Sequence, residues 1–412
     1  MAKADKANDT SSVIENIASD LNKLFKSTVS QTAYVVNKDS DLTDTPFYVS
    51  DWISTGCDVL DLAISNQPHG GYPVGRITEI SGLSASGKSL AAVQAIASTQ
   101  KKGGVAIYYD TENAFSKSFF EAAGIDMSRM VYCALSNIED IFEAIQNNIV
   151  SIRKNSPDLL VTIVVDSIMG ATTKIEQEAD FDKDGYATQK AIILSKAMRK
   201  LTQTFGRQNI CIILTNQLRT RLGVSFGDPY TTSGGQAIGF HSSVRLRLKQ
   251  MGKIKANING RPTVIGIKTR AQVFKNRMGA PLKTADYDIL FSSGIDNYGS
   301  WLYTMKDYKL VTTSGAWHTY THVDKETGEV LGSIKFQSKD FEKKLEENPE
   351  IKQAIYDDIC NVLINTYEQL EDIGIDDMKL DTNFDIDSDI IPTVPKNSTK
   401  LEDFESDISG EV

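Results

Sequence analysis

Gly82, Gly87, Lys88 and Ser89 stand in the order Gly-x4-Gly-Lys-Ser, a spacing that suits the binding of phosphate. Leu83, Ser84, Ala85 and Ser86 fill the interval, and Leu90 follows. The alternating run Arg76–Ile80 predicts a strand leading into this loop, and Leu90–Ala97 predicts a helix leaving it. A loop between strand and helix can wrap its N–H groups around an anion, with the positive end of the helix dipole behind them. Glycine is needed where a Cβ would block that approach. Residues Gly82–Leu90 are therefore expected to bind a nucleoside triphosphate, with the Ser89 hydroxyl as a direct ligand of Mg²⁺. Two more strands are predicted at Val105–Tyr109 and Val161–Val165, ending in Asp110-Thr-Glu112 and Asp166-Ser167. Carboxylates at the ends of parallel strands face the ligand crevice of an open α/β sheet. Asp166 is expected to hold Mg²⁺ through water, and Glu112 to orient or activate the attacking water. The competing role for Glu112 is an ordinary carboxylate at a helix start.

Positioning these groups requires a large sheet, and 412 residues at 41% hydrophobic suffice for one α/β core with small appendages. A fourth strand, Cys211–Thr215, is predicted to end at Asn216-Gln217. Beyond it, Leu218–Gly239 is polar and rich in glycine, with Arg219, Arg221, Thr231, Thr232, Gly234 and Gly235. Long loops inside domains are usually functional, and arginines among glycines suit backbone phosphates of a nucleic acid. An ordinary surface loop is the plainer reading. Val244–Lys249 alternates as a half-exposed basic strand, and Val264–Thr269 and Gln272–Phe274 carry the sheet to Lys275-Asn-Arg277.

Either side of this core the pattern changes. Residues 1–11 read as disordered, and Ser12 with Glu15 reads as a capping box. The helix it opens has Ile14, Ile17, Leu21, Leu24 and Phe25 on one stripe. Val29–Asn37 reads as extended and Lys38–Pro46 as a linker; composition alone leans this arm toward its own core. Trp317–Val323 and Val330–Phe336 predict a hairpin, followed by a helix after Pro349. The last stretch, Glu371–Val412, is expected to be disordered. It holds 13 acidic residues and 3 lysines, leaving 41 acidic and 41 basic residues before it. The net charge of −10 is thus a property of the tail, and a neutral body with clustered basic loops can bind a polyanion.

Other classes are disfavoured. No apolar run approaches the ~20 residues of a membrane span, and no signal segment opens the chain. Cys57, Cys133, Cys211 and Cys360 are scattered and read as reduced thiols of a cytoplasmic protein; the histidines lack zinc spacing. Asp180-Phe-Asp182-Lys-Asp184-Gly185 imitates a calcium loop, but Ala191 stands where its last carboxylate should be.

Several blocks recur together in order: Ile53-Ser-Thr-Gly, the Gly82–Ser89 loop, Asp110-Thr-Glu112-Asn-Ala, Val164-Val-Asp166-Ser167, Asn216-Gln217-Leu-Arg219, Thr231-Thr-Ser-Gly234-Gly235 and Lys275-Asn-Arg277. Over residues 12 to 370 the chain resembles the RecA family of DNA strand-exchange proteins. The resemblance implies an α/β fold: a RecA-like P-loop ATPase core with a mainly parallel central sheet at 46–297. It also implies an N-terminal helix–strand polymerisation arm and linker at 1–45, a small α/β C-terminal domain at 298–370 and an acidic tail at 371–412. The arm would then pack on a neighbouring protomer of a helical filament, against the composition's lean. The segments Glu178–Thr188 and Leu218–Gly235 would face DNA. Arg199, Arg219, Arg221, Gly234, Gly235 and Gln236 match positions that contact single-stranded DNA. Gln217 would sense the γ-phosphate, Phe119 would stack on adenine, and Lys275 and Arg277 would reach the neighbour's ATP. The acidic tail would compete with DNA for basic surface.

The implied activity is that of an ATP- and Mg²⁺-dependent homologous recombinase in the cytoplasm. Its partners would be single- and double-stranded DNA, further copies of itself, and single-strand-binding and mediator proteins. Ser84, Asn113, Ser116 and Arg277 depart from the usual Glu, His, Asp and Lys of bacterial relatives, and the first DNA loop is unusually acidic. These departures leave the phosphate chemistry intact and bear on turnover and nucleotide selectivity; they would suit a phage-encoded relative. A RecA-fold helicase shares the core but usually brings a primase-contacting domain, which the sequence does not show. A mediator that binds ATP and DNA without exchanging strands is the non-enzyme rival.

Overall fold

Strings of β-branched and aliphatic residues form the middle of a ten-stranded sheet, and everything else is hung on it. The structure, a computed structural model, describes residues 2–24, 33–35, 45, 48–178, 186–205, 208–220, 230–232, 236–324 and 327–364. In chain order, α1 (Ala2–Leu24) is followed by the short ribbon strands β1 (Trp52–Ile53) and β2 (Tyr72–Pro73), which flank α2 (Asp58–Ser65). The alternating core then runs β3 (Ile77–Gly82), α3 (Lys88–Lys101), β4 (Val105–Asp110), α4 (Lys117–Ala122), β5 (Met130–Ala134), α5 (Ile138–Asn155) and β6 (Val161–Asp166). Helices α6 (Lys174–Glu178) and α7 (Tyr186–Phe205) lead to β7 (Ile210–Thr220), on which β8 (Tyr230–Thr232) folds back. After α8 (Ala237–His241) come β9 (Val244–Ile258), β10 (Arg261–Asn276), β11 (Thr284–Leu290) and β12 (Gly294–Asp296).

The strands lie in the order β12-β11-β10-β9-β3-β7-β6-β4-β5. From β9 to β5 every neighbouring pair is parallel, which puts helices on both faces and explains why Val161–Val165 of β6, Thr162 apart, and Ile210–Leu214 of β7 are apolar. Strand alternation divides them: Ile163 and Val165 join the apolar cluster of one face, Val164 that of the other. From β9 to β12 the pairs are antiparallel hairpins, so these strands alternate buried and half-buried residues. A C-terminal unit follows: α9 (Asn297–Asp307), the sheet of β13 (Thr312–Ser314), β14 (Trp317–Val323) and β15 (Val330–Gln337), then α10 (Phe341–Glu347) and α11 (Pro349–Leu363). Its Phe336, Phe341 and Ile355 belong to the same apolar cluster as Leu60 and Leu90 of the core. Pro349 opens α11, where its missing N–H costs nothing.

Several expectations are corrected. The first helix begins at Ala2 rather than Ser12, so residues 2–11 are helical, and Ser12 and Glu15 lie inside a helix rather than capping one. Ala2, Lys3, Ala4, Lys6 and Ala7 are strong helix formers, and a capping pattern signifies a start only where the preceding backbone is not helical. Among the described residues the apolar stripe of α1 is left uncovered: Val13, Ile14, Ile17, Leu21 and Leu24 are all exposed, the last at 72%. The extended stretch after it is described only at 33–35, where Asn22 Nδ2 donates to Ala33 O at 2.8 Å and Ala33 N to Asn22 Oδ1 at 2.7 Å. The two segments expected at 264–269 and 272–274 are one strand, β10, interrupted by bulges against β9. The acidic loop at 180–185 and the tail at 371–412 lie outside the described residues. Among the described residues no helix is long and apolar enough to cross a membrane.

Candidate nucleotide site

The phosphate loop leaves β3 between β7 and β9, with Gly82 in register with Gln217 on one side and Leu248 on the other. A Cβ on Gly82 would lie 2.4 Å from Ser86 Oγ and 2.7 Å from the Leu248 carbonyl, so only glycine allows the loop to close. Gly87, at φ +98°, caps α3 without a side-chain hydrogen bond, which leaves the first N–H groups of the helix directed at a ligand. Within the loop, Ser86 Oγ is buried and has no hydrogen-bond partner among the described residues. Lys88 Nζ donates to the Leu83 carbonyl at 2.9 Å. Burial lowers the Lys88 pKa, while Asp166 and Glu112 work in the opposite direction. An orphaned hydroxyl, open helix N–H groups and an ammonium resting on a carbonyl together fit a bound triphosphate.

The loop opens onto a cavity of about 410 Å³. Ser86, Lys88 and Ser89 line its polar end; Phe119 and Ala122 of α4, with Ala123 just after it, face Ile289, Leu290 and Phe291 across the rest. Phe119 is part exposed and meets Phe120 edge-on at 5.8 Å.

Both carboxylates come from neighbouring strand ends and are held by groups from across the sheet. Asp166 accepts from Tyr108 Oη at 2.7 Å and from Thr215 Oγ1 at 2.5 Å. Burial, reinforced by Asp166, holds the Tyr108 hydroxyl protonated well above its usual range. Glu112 Oε1 accepts from Ser167 Oγ at 2.6 Å and Gln217 Nε2 at 3.3 Å. Glu112 lies outside α4, whose first turn has no acidic residue, so it does not serve as a helix-start carboxylate. Asp110 instead turns back to accept from the Glu112 and Phe115 N–H groups, each at 3.0 Å, and from Tyr132 Oη, fixing the turn that presents Glu112.

Lys275 and Arg277 do not join this cluster. Asn276 pairs with Val244 and Val244 with Thr78, whereas the loop end is marked by Gly82, Leu248 and Ala271. The basic pair therefore sits at the far end of β3, about 13 Å of strand from the loop of its own chain. There Lys275 Nζ donates to the carbonyls of Gly239 at 2.6 Å and Phe240 at 3.1 Å, and Arg277 donates to Phe240 at 3.1 Å. Burial, then Arg277 and Arg245, bring Lys275 down to about 8, with Glu79 opposing them.

Of the residues expected at DNA, Arg199 is exposed on α7 and Arg219 is exposed on β7 opposite Thr231. Gln236 is exposed at the N-cap of α8. Arg221, Gly234 and Gly235 lie outside the described residues. Sequence reasoning missed Tyr108, Ser167 and Thr215, whose partners are brought to them only by strand pairing. It also missed Glu79, wholly buried on β3, which accepts from Asn216 and Arg245. A charged residue within an apolar strand was the signal for it.

A family model described as the RecA N-terminal domain matches residues 30–296. Protein RecA of Synechocystis sp. is 36% identical over 304 residues, covering 74% of this chain and 79% of its own length. Protein RecA of Clostridioides difficile is 35% identical over 324 residues, 79% of this chain and 86% of its own. Protein RecA of Leptospira biflexa is 31% identical over 360 residues, 87% and 86%.

Proposed function

The chain belongs to the RecA family, and we propose that it hydrolyses ATP in the Gly82–Ser89 cleft to drive strand exchange between homologous DNAs. It is a homologous recombinase of DNA recombination and repair, and a DNA-dependent ATPase. The observation that carries the site is the convergence of Lys88 at the start of α3 with Asp166 at the end of β6 and Glu112 just past β4, with Gln217 of β7 on Glu112. In this reading the N–H groups of Gly82–Leu90 bind the phosphates, and Lys88 exchanges the Leu83 carbonyl for them. Bound Mg²⁺ supplies charge neutralisation on the phosphates, with Ser89 as direct ligand and Asp166 acting through water. Glu112, aligned by Ser167, orients the attacking water, and Phe119 stacks on the base.

Lys275 and Arg277 serve the ATP of the next protomer in a helical filament, a role supported by their distance from their own loop. Arg199, Arg219, Arg221, Gly234, Gly235 and Gln236 contact single-stranded DNA, on which the filament assembles before it engages duplex. The arm at 1–45 joins protomers, 46–297 is the ATPase core, 298–370 the C-terminal domain and 371–412 an acidic brake. Single-strand-binding and mediator proteins and a cytoplasmic setting complete the proposal. Lys88→Ala and Glu112→Ala should each lower DNA-stimulated ATP hydrolysis by roughly 10²-fold or more, while Glu112→Ala still forms filaments with ATP under the electron microscope. Unaltered turnover in either variant would sink the assignment.

A further inference from the structure

Glu79 takes no part in the chemistry above, yet its buried carboxylate lies where four functional segments meet. It sits on β3 just ahead of the phosphate loop and is 0% exposed. Oε1 accepts from Asn216 Nδ2 at 2.8 Å, the residue immediately before Gln217. Oε2 accepts from Arg245 Nε at 2.5 Å. Arg245 Nη2 in turn donates to Thr232 Oγ1 at 3.3 Å, on the strand by which the second loop returns to the sheet. The same guanidinium lies over the Phe274 ring, 5.1 Å from its centroid, next to Lys275 in the chain. Glu79 and Arg245 also press in opposite directions on the Lys275 ammonium.

A buried ion pair is a poor device for stability, because apolar residues of similar volume commonly do as well. It is sensitive to geometry, however: losing one partner leaves a charge stranded away from water. We propose that Glu79 and Arg245 are a positioning pair that couples the contents of the nucleotide cleft to the second DNA loop. Gln217 leaves Glu112 for the phosphates of a bound triphosphate, and Asn216, on the same backbone, shifts against Glu79. Arg245 must follow its carboxylate, and Thr232 follows Arg245. The inference rests on the reading of the cleft and loop given above, and adds the residues that join them.

The test uses the full chain and a fluorescent oligonucleotide. DNA affinity is measured with ATP and with ADP, and hydrolysis with and without DNA. Glu79→Gln keeps the shape and the Asn216 bond but removes the charge that holds Arg245. It should keep DNA-free hydrolysis, while the ratio of DNA affinities in ATP and ADP falls by roughly fivefold or more. Thr232→Val cuts only the far end of the chain of contacts, and should lower the same ratio with an unchanged thermal midpoint. Should Glu79→Gln fail to fold, Thr232→Val decides the matter. A parent-like ratio in Thr232→Val, or loss of DNA-free hydrolysis in a folded Glu79→Gln, overturns the coupling. Absence of any nucleotide dependence in the parent would instead overturn the proposed function.

Discussion

Lys275 holds its proton weakly for a lysine. Burial beside the Gly239 and Phe240 carbonyls, together with Arg277 and Arg245, sets its pKa at about 8. In the unfolded chain the ammonium persists to about 10.5. Between those values the unfolded state binds the extra proton, so fold stability from this group rises with pH across that window and is at its lowest below about 8. Function runs the other way. A neighbour's phosphates favour the ammonium, so ATP-driven assembly should weaken as pH climbs through about 8. Titrating ATP hydrolysis on DNA across that range should show the decline in the parent and a flatter profile in Lys275→Arg, whose guanidinium stays charged. An equal decline in both would remove Lys275 from the interface. At this scale the sequence was informative wherever spacing is fixed by one loop, as for Gly82, Gly87, Lys88 and Ser89. Tyr108, Ser167 and Thr215 were not legible, because each meets its carboxylate across a strand boundary that only the sheet order creates.

Strands β6 and β7 announced themselves by apolar runs, Val161–Val165 broken only by the buried Thr162 and Ile210–Leu214 unbroken, which is what burial on both faces requires. Strand β5 did not: as the outermost strand it leaves Val131 and Tyr132 exposed, and a five-residue segment with that pattern has no periodicity to read. The long β9–β10 hairpin was broken into pieces for a related reason, since its bulges reset the alternation. On the proposed reading of the cleft, the element that most shapes nucleotide selectivity is α4. Where Phe119, Ala122 and Ala123 face Ile289, Leu290 and Phe291, the cavity offers a base only shape and stacking, with no side-chain donor or acceptor among those residues for its edge. Ser116 hydrogen-bonds to Ser118 at 3.1 Å and does not line the cavity. Apolar pockets discriminate by only about 10- to 200-fold. ATP and GTP should therefore differ in kcat/KM by less than about 10², and Phe119→Ala should raise KM for both by roughly 3- to 10-fold with little change in kcat. A preference for ATP of 10⁴ or more would mean that a polar group reads the base edge.

On the scale of the whole molecule, the unresolved force is the apolar stripe of α1. The stripe shows from sequence alone that the helix needs a cover, but periodicity does not say whose surface supplies it. Val13, Ile14, Ile17, Leu21 and Leu24 remain exposed among the described residues, and in the proposed filament the neighbouring protomer covers them. Burying a large aliphatic side chain stabilises a contact by about 1.5–3 kcal/mol. Replacing two of them with carboxylates should then weaken each protomer contact by roughly 10²-fold or more. Ile17→Glu with Leu21→Glu touches neither the core cluster nor the cleft, so the thermal midpoint and ATP binding should stay as in the parent. Sedimentation with ATP and DNA should shift from filaments toward single protomers. DNA-stimulated hydrolysis should fall with it if Lys275 and Arg277, about 13 Å of strand from their own loop, act on a neighbour's phosphates as proposed. Loss of filaments with hydrolysis intact would show that each protomer completes its own site, and the basic pair would need another role. Retained filaments would place the joint between protomers somewhere other than this helix.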